Sequence, residues 1–441
     1  MDTANQHTMG FPVPKRQTWA PVLVCLIFFA SAPVFAALTW EVDYRPSLIR
    51  FFSVPILAAE MLVVVLALLS GFDIRRAIGR MHPITRFGAI GWLVVASISA
   101  LLAEERPHFA LLLYLSTLIQ AAFLLTVWDR LSTSWSAWNF RFLAALATGT
   151  AVYFSLVFML AYSQKDNPAF DWHKFGAGVS HVRHLSYYGV ALAGIAAGLL
   201  AVAKLQYHRI SAGVLLTAGF WLIFWSGGRS AVGAGILVLV AIAASLPTEE
   251  RKKFAAGAVI AFVAAIPLSY LFVPPVDFWG PNSIFSRTVG EKANENFSSG
   301  RYAIWISTIE TLHSKPLIGF GEGQFRFAVP AAEGNFNHPH NALLQYLFQW
   351  GILGSLALAT IAFPTMKNLT GSLKLRPEVA LPAFGAAFGL CAQSALDGPL
   401  YYPYPAMIFL VGLATLASIG SATVNAEVDR GDCSANGPAE A

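Results

Sequence analysis

Residues 335–354 read NFNHPHNALLQYLFQWGILG, in which two histidines and an asparagine lead directly into an apolar run. The run continues to residue 363, which gives the roughly 20 mostly apolar residues that a membrane-spanning helix needs. Asn341 is placed to cap this helix, and the proline between His338 and His340 fixes the backbone between the two rings. The stretch therefore predicts a membrane span with two titratable rings at its N-terminal end.

Comparable apolar runs recur along the whole chain of 441 residues. Hydrophobic residues make up 56% of the chain and charged residues 12%, with a mean hydropathy of +0.58. This composition does not suit a soluble protein. The runs that have the length of a span cover residues 20–38, 51–70, 86–102, 108–127, 142–162, 185–203, 211–226, 230–246, 254–273, 341–363, 378–396 and 404–420. The sequence therefore predicts an all-α polytopic membrane protein with about 12 transmembrane helices.

Basic residues in the short connections predict how these helices are oriented. The first run follows Lys15-Arg16 and lacks a small-residue cleavage pattern, so we expect an uncleaved anchor and a cytoplasmic N-terminus. The connections on that side collect most of the arginine and lysine residues, and the net charge of +5 follows from this topology. It therefore does not point to nucleic acid as a partner.

This topology divides the chain into four parts. We predict transmembrane helices 1–9 within residues 1–273, a large loop on the outer side at 274–340, transmembrane helices 10–12 within 341–420, and a disordered cytoplasmic tail at 421–441.

Two features stand out in the large outer loop. RYAIWISTIETLH (301–313) has the apolar stripe of a surface helix that Ser298 or Ser299 caps, and the glycines of KPLIGFGEGQF (315–325) predict a tight, irregular backbone. On the surface helix, Tyr302 and Trp305 are expected to form a wall for lipid or sugar, or else to pack against the bundle.

Several common chemistries leave no trace in the sequence. The chain has no GxxxxGK[ST], HExxH or CxxC motif and no D-x-D on the outer side. The spacing of His173, His181 and His184 fits no common metal site, so we predict no metal and no cofactor. Group transfer on the outer side then needs a donor that is already activated and delivered in the lipid, such as a polyprenyl pyrophosphate-linked glycan.

Three arginines are candidates for binding such a pyrophosphate. Arg183, Arg229 and Arg301 each lie at or near the outer end of a predicted helix. A guanidinium group holds two phosphate oxygens at once and stays charged. The alternatives are that Arg229 reaches towards lipid headgroups and that Arg301 is a solvated loop residue.

Side chains with other titratable groups are candidates for proton transfer. His338 or His340 is placed to accept a proton from a sugar hydroxyl, and the alternative is that both rings bond to loop carbonyls. Asp397 is expected to orient an arginine or a histidine, or to form a turn. Glu60 lies midway along a predicted span, where we favour a neutral carboxyl that hydrogen-bonds to a neighbouring helix over a proton relay.

Four segments of this chain occur in the order found in a known superfamily. They are SGGRSA (226–231), SSGRYAIW (298–305), KPLIGFGEGQF (315–325) and HNALLQYLFQWGILG (340–354). Over roughly residues 210–360 the chain resembles the O-antigen ligases, the O-antigen polymerases and the O-linked oligosaccharyltransferases. His340-Asn341, followed after nine residues by Gly351-x-x-Gly354, is particularly similar to the ligase signature.

The resemblance implies a membrane glycosyltransferase of the bacterial inner membrane, with a GT-C-type fold and short helices in a large periplasmic loop. It implies transfer of O-antigen from undecaprenyl pyrophosphate to lipid A-core, with inversion and without a metal. It also implies that Arg229, Arg301 and, more loosely, Arg183 bind the pyrophosphate and that His338 or His340 is the general base, beside the supporting residues Asn341, Tyr302, Trp305 and Asp397. A polymerase and an oligosaccharyltransferase remain alternatives within the superfamily. A transporter or flippase remains the alternative of a different class.

Overall fold

A computed structural model describes residues 19–39, 54–173, 175, 181–289, 300–332 and 336–435, with the backbone alone for 36–39 and 421–435. No strand occurs in these ranges. The α-helices are α1 (Trp19–Thr39), α2 (Val54–Leu69), α3 (Ile74–Arg80), α4 (Pro83–Leu101), α5 (Pro107–Ser132), α6 (Asn139–Ser163), α7 (Leu185–Val202), α8 (Gln206–Trp225), α9 (Arg229–Ala244), α10 (Thr248–Leu268), α11 (Gly280–Thr288), α12 (Arg301–Leu312), α13 (Phe325–Ala328), α14 (Ala342–Lys367), α15 (Leu369–Leu375), α16 (Pro377–Ser394) and α17 (Pro403–Ala435). The prediction of an all-α polytopic membrane protein is confirmed.

Within the described residues, each of the twelve predicted apolar runs falls largely on a helix. Among the described residues, seven helical stretches are long and apolar enough to cross a membrane, or eight if α2 and α3 count as one bent span. α1 and α9 are apolar but shorter within these ranges. α10 begins with the charged run Glu249 to Lys253, which shortens its apolar part.

The centre of the bundle is α7, whose residues are nearly all buried. Its sequence, LSYYGVALAGIAAGLLAV, is apolar all round, as expected for a helix surrounded by other helices. Gly194 of α7 meets Gly385 of α16 so closely that a Cβ on either residue would lie within 2.2 Å of the backbone oxygen of the other. Small residues of this kind let two helices in a membrane pack backbone against backbone.

Helix α14 carries the histidine motif at its start and is interrupted at Gly351, where φ is 63° and ψ is −168°. The glycine-rich segment 315–325 crosses this break and restores the hydrogen bonds that the helix loses. The N–H groups of Phe320 and Gly321 donate to the carbonyls of residues 348 and 349, and those of Ile352 and Leu353 donate to residues 316 and 317. The irregular backbone expected there is confirmed by positive φ at residues 319, 321 and 323.

The predicted surface helix over 301–313 is confirmed as α12. It buries Ile304 and Thr308 and exposes most of Tyr302. Ser298 and Ser299, the expected capping residues, lie outside the described residues, and α12 starts after Gly300. At the other end of the chain α17 is helical as far as Ala435, beyond residue 420, where the sequence predicted a disordered tail.

Glu60 differs from its prediction. Its side chain is fully buried in α2. Both carboxyl oxygens make no hydrogen bond within the described ranges, whereas we expected one to a neighbouring helix. The expectation was wrong because the residues that surround a position along a helix depend on how the helices pack.

Candidate active site

Asp397 is the residue on which the candidate site converges. It lies in the connection between α16 and α17 and is buried. His340 Nδ1 is 3.1 Å from Asp397 Oδ1, and Arg301 Nη2 is 3.0 Å from Oδ2. The hydroxyl of Tyr187 donates to Oδ1 at 2.7 Å, and that of Ser230 donates to Oδ2 at 3.3 Å. One carboxyl group therefore joins the start of α14 to the starts of α12 and α9 and to α7.

These contacts keep Asp397 ionised. Burial alone would raise the pKa of Asp397, but the hydrogen bond from His340 and the charge of Arg301 hold it well below its usual value. An ionised carboxylate only accepts hydrogen bonds. The Nδ1 atom of His340 therefore carries the proton that it shares with Asp397, and in the neutral ring Nε2 is left with a lone pair that accepts a proton.

The backbone around His340 is held in an uncommon conformation. His340 has φ of 55°, in the left-handed region that few residues other than glycine adopt. Three contacts hold it there: Trp305 Nε1 donates to the carbonyl of Pro339 at 2.7 Å, the side chain of Asn341 accepts from Leu344 N, and its amide donates to the carbonyl of residue 395. The predicted cap of α14 by Asn341 is thus confirmed.

His338 occupies a different environment from His340. Only 3% of His338 is exposed, and its Nδ1 accepts a hydrogen bond from the backbone N–H of His340 at 3.1 Å. Its ring lies 4.6 Å from that of Tyr401, and a Cβ at position 398 would clash with it. His338 therefore shapes the turn that presents His340, whereas the half-buried His340 ring contacts the carboxylate.

The three predicted arginines do lie in one region, and a fourth joins them. Burial is the largest influence on Arg287, and the charges of Arg183, Arg229 and Arg301 add to it, so that the pKa of Arg287 falls to about 10. Four guanidinium groups are therefore close enough to repel one another, and Asp397 contributes a single negative charge beside Arg301. Within the described ranges, the Nε of Arg183 is buried without a hydrogen bond. The arrangement suits a multiply charged anion.

Backbone groups add to this positive region. α9 begins at Arg229 directly after Gly228, and α12 begins at Arg301 directly after Gly300. Neither start has a side-chain cap among the described residues. The N–H groups of a helix start are unsatisfied within the helix and favour anions.

Arg287 was missed by the sequence analysis. Its Nη2 donates to the carbonyl of Gly227 at 2.6 Å, and Arg229 Nη1 donates to the carbonyl of Arg287 at 2.6 Å. The two residues thus tie α11 to the turn before α9. The sequence shows Arg287 only as an arginine within the large outer loop. No local pattern predicts that this part of the loop contacts residue 229. Tyr187 was missed for the same reason, since it reads as an ordinary apolar residue of a span.

The remaining predicted residues frame this site in different ways. Trp305 is half-buried and positions the histidine turn, whereas the side chain of Tyr302 is 65% exposed. The ring of His184 stacks on Tyr187. His181 accepts a hydrogen bond from the N–H of Arg183 at 3.1 Å. Within the described ranges, no three His, Cys, Asp or Glu side chains lie close enough together to hold a metal ion.

The family model described as O-antigen ligase matches residues 210–359, about a third of the chain. Residues 210–359 therefore form a domain of the O-antigen ligase family, and this match supports membership of the chain in that family. No curated protein is significantly similar in sequence to the chain. The family domain contains Arg229, Arg287, Arg301, His338 and His340. Arg183 and Asp397 lie outside it, so the candidate site includes contacts across the boundary of the matched region.

Proposed function

We propose that the chain is an O-antigen ligase that transfers O-antigen polysaccharide from undecaprenyl pyrophosphate to a sugar hydroxyl of lipid A-core. The observation that carries the proposal is the carboxylate of Asp397, which contacts a histidine through one oxygen and an arginine of the cationic group through the other. In the proposal, this histidine is the base and this arginine belongs to the pyrophosphate site, so the two functions lie next to each other, as the transfer requires. Membership of the ligase family supports the same reaction class.

In the proposed reaction, Nε2 of His340 takes the proton of the acceptor hydroxyl. The hydroxyl oxygen forms a bond to the anomeric carbon from the face opposite the pyrophosphate, and the configuration at that carbon inverts. The bond from the anomeric carbon to the phosphate oxygen breaks, and the electron pair leaves with undecaprenyl pyrophosphate. Asp397 keeps the proton on Nδ1 and stabilises the imidazolium that forms.

The arginine group is proposed to hold the donor and to stabilise the departing charge. Arg183, Arg229, Arg287 and Arg301 together neutralise the pyrophosphate as the bond to the sugar breaks. No cofactor takes part in the proposal. The twelve-span arrangement, the GT-C-type fold, the bacterial inner membrane and the periplasmic location of the site belong to this proposal, with membrane lipids and the two lipid-linked glycans as the partners.

The test uses the purified chain with undecaprenyl-pyrophosphate-linked glycan and lipid A-core, and follows the size of the lipopolysaccharide product. His340→Ala is expected to lower the rate by about 10²–10⁴-fold, and Arg229→Ala and Arg301→Ala by a similar factor, while each variant keeps its thermal stability. Normal ligation by all three variants would refute the site. Glycan that lengthens on its carrier would identify a polymerase, and transfer to serine or threonine would identify an oligosaccharyltransferase.

A flippase belongs to a different class of protein, and substitution of Glu60 distinguishes a flippase from a ligase. If transport were the function, Glu60→Gln would abolish it and His340→Ala would leave it intact. The ligase proposal predicts the reverse. Glu60 lies on α2 and is absent from the contacts of Asp397, so Glu60→Gln is expected to keep at least about a third of the ligation rate.

A further inference from the structure

Besides the arginines of the candidate active site, the bundle has a cationic cavity at its opposite end. It has a volume of about 270 Å³, and its lining includes three arginines and two aspartates: Arg76, Arg80, Arg130, Asp73 and Asp129. The two lining residues on α5, Asp129 and Arg130, are close to the C-terminal end of that helix. The connection before the N-terminal end of α5 contacts the glycine-rich segment, because Glu105 N donates to Gln324 Oε1. A helix of 26 residues is about 39 Å long. The cavity is therefore separate from the ligase site.

The cavity is built around a buried arginine. Arg130 is 6% exposed, and its guanidinium donates to the carbonyls of Ala67 and Ser70 and to the hydroxyl of Ser134. Its Nε makes no hydrogen bond within the described ranges although it is buried. A buried charged group with an unused donor is costly unless an acceptor is supplied. Arg130 lines the cavity, so an anion held there would lie against its guanidinium group.

The two aspartates do not neutralise the cavity. Asp129 is buried and forms a salt bridge with Arg80. Asp73 accepts from the N–H groups of residues 75 and 76 and so caps α3. Three guanidinium groups against two carboxylates leave one net positive charge, and the exposed side chain of Arg76 makes no salt bridge or hydrogen bond within the described ranges.

The helix that forms one wall has two different faces. Ile74 and Ile78 are four residues apart and both exposed, whereas Arg76 and Arg80 lie on the opposite side of α3 and line the cavity. α3 is bent by 95° from α2, so it runs along the membrane surface if α2 crosses the membrane. An amphipathic helix in this position keeps its apolar face among lipid tails and its arginines at the level of the headgroups.

We propose that this cavity binds the phosphate group of an anionic membrane lipid. The phosphate accepts hydrogen bonds from Arg130 and Arg76, and the acyl chains lie along the exposed isoleucines of α3. The phosphate chemistry would also suit a free inorganic phosphate, but the exposed apolar face on the other side of α3 favours a position at the lipid surface and hence the lipid. Basic pockets between helices are known to bind such headgroups.

The test is native mass spectrometry of the delipidated full chain with phosphatidylglycerol, with zwitterionic phosphatidylethanolamine, and with inorganic phosphate. We expect phosphatidylglycerol to bind the wild type, and Arg76→Gln to lower its occupancy about tenfold, since an arginine–phosphate contact is a strong charge-assisted hydrogen bond. Arg75→Gln is the matched control, because Arg75 is equally exposed on the same helix but does not line the cavity. It is expected to bind like the wild type.

Each other outcome contradicts the proposal. Equal losses in the two variants, or no loss in either, would mean that no site exists at the cavity. Binding of inorganic phosphate that depends on Arg76, without binding of phosphatidylglycerol, would overturn the lipid assignment. Arg130→Lys serves as a second variant that keeps the buried charge but removes the unused Nε–H, and thermal unfolding shows whether it is folded. If folded Arg130→Lys binds phosphatidylglycerol as tightly as the wild type, the role of Arg130 is wrong.

Discussion

The substitution Asp397→Asn tests the central contact of the candidate site with almost no change in side-chain volume. An asparagine keeps one acceptor oxygen and replaces the other with an NH₂ donor. With the oxygen facing Arg301, the NH₂ group faces His340 Nδ1. The ring must then accept at Nδ1 and carry its proton on Nε2, where the acceptor hydroxyl would have to be deprotonated.

The expected effect is a loss of rate by about 10²–10⁴-fold, because the base is present in the wrong tautomer. At 1.36 kcal/mol for each factor of ten, this corresponds to roughly 3–5 kcal/mol of transition-state stabilisation. Loss of the negative charge also leaves the half-buried guanidinium of Arg301 without its salt-bridge partner. The donor concentration for half-maximal rate is therefore expected to change as well.

The assay is the reconstituted ligation reaction, measured as rate against pH for the wild type, Asp397→Asn and the control Ser230→Ala. Ser230 contacts the same carboxylate through a long hydrogen bond of 3.3 Å, so its loss is expected to cost less than about tenfold. An Asp397→Asn enzyme with the wild-type profile and a rate within about threefold would refute the reasoning.

Three further predictions concern other parts of the molecule. Burial raises the pKa of Glu322 to about 7, above about 4.3 in the unfolded chain. The folded state therefore binds the proton more tightly, and the free energy of unfolding falls by about 4 kcal/mol as the pH rises from about 4 to 7. Glu322→Gln should abolish this fall in the melting temperature between pH 5 and pH 8, and an unchanged pH dependence would contradict the assignment. Gly351→Ala should destabilise the chain by at least about 3 kcal/mol, because a Cβ would lie 2.3 Å from the backbone of residue 317 at a φ of 63°; the control Gly213→Ala, with open space around it, should melt at or slightly above the wild-type temperature. Arg287→Gln should raise the donor KM by roughly 10–100-fold, whereas exposed Arg106→Gln should not; equal KM values for Arg287→Gln and the wild type would exclude Arg287 from the donor site.

Most of the elements that carry the site were predictable from the sequence because their signals are local. The apolar run after His340 predicted α14, Asn341 predicted its cap, and the stripe within 301–313 predicted α12. In each case the evidence lies within one or two helical turns of the residue concerned. The break at Gly351 was not predicted, because it requires the segment 315–325 to supply hydrogen bonds from outside the helix.

The choice between His338 and His340 shows where local evidence ended. Both rings lie just before the N-terminal end of α14, and their sequence context is nearly identical. They differ because one ring is buried against Tyr401 and the other meets Asp397. Residue 397 lies 57 positions further along the chain, so its proximity depends on the packing of α16 and α17 against α14.

By itself the sequence determined that this is a helical membrane protein with the ordered motifs of an O-antigen ligase domain, since the apolar length of each run and the motifs are properties of short segments. Only the tertiary structure decided that Asp397, Tyr187, Arg301 and His340 share one carboxylate and that Arg287 joins the other arginines. The contacts of Asp397 with His340, Arg301 and Tyr187 span 57, 96 and 210 positions. Contacts at such separations are formed by helix packing, which a local pattern of residue types does not specify.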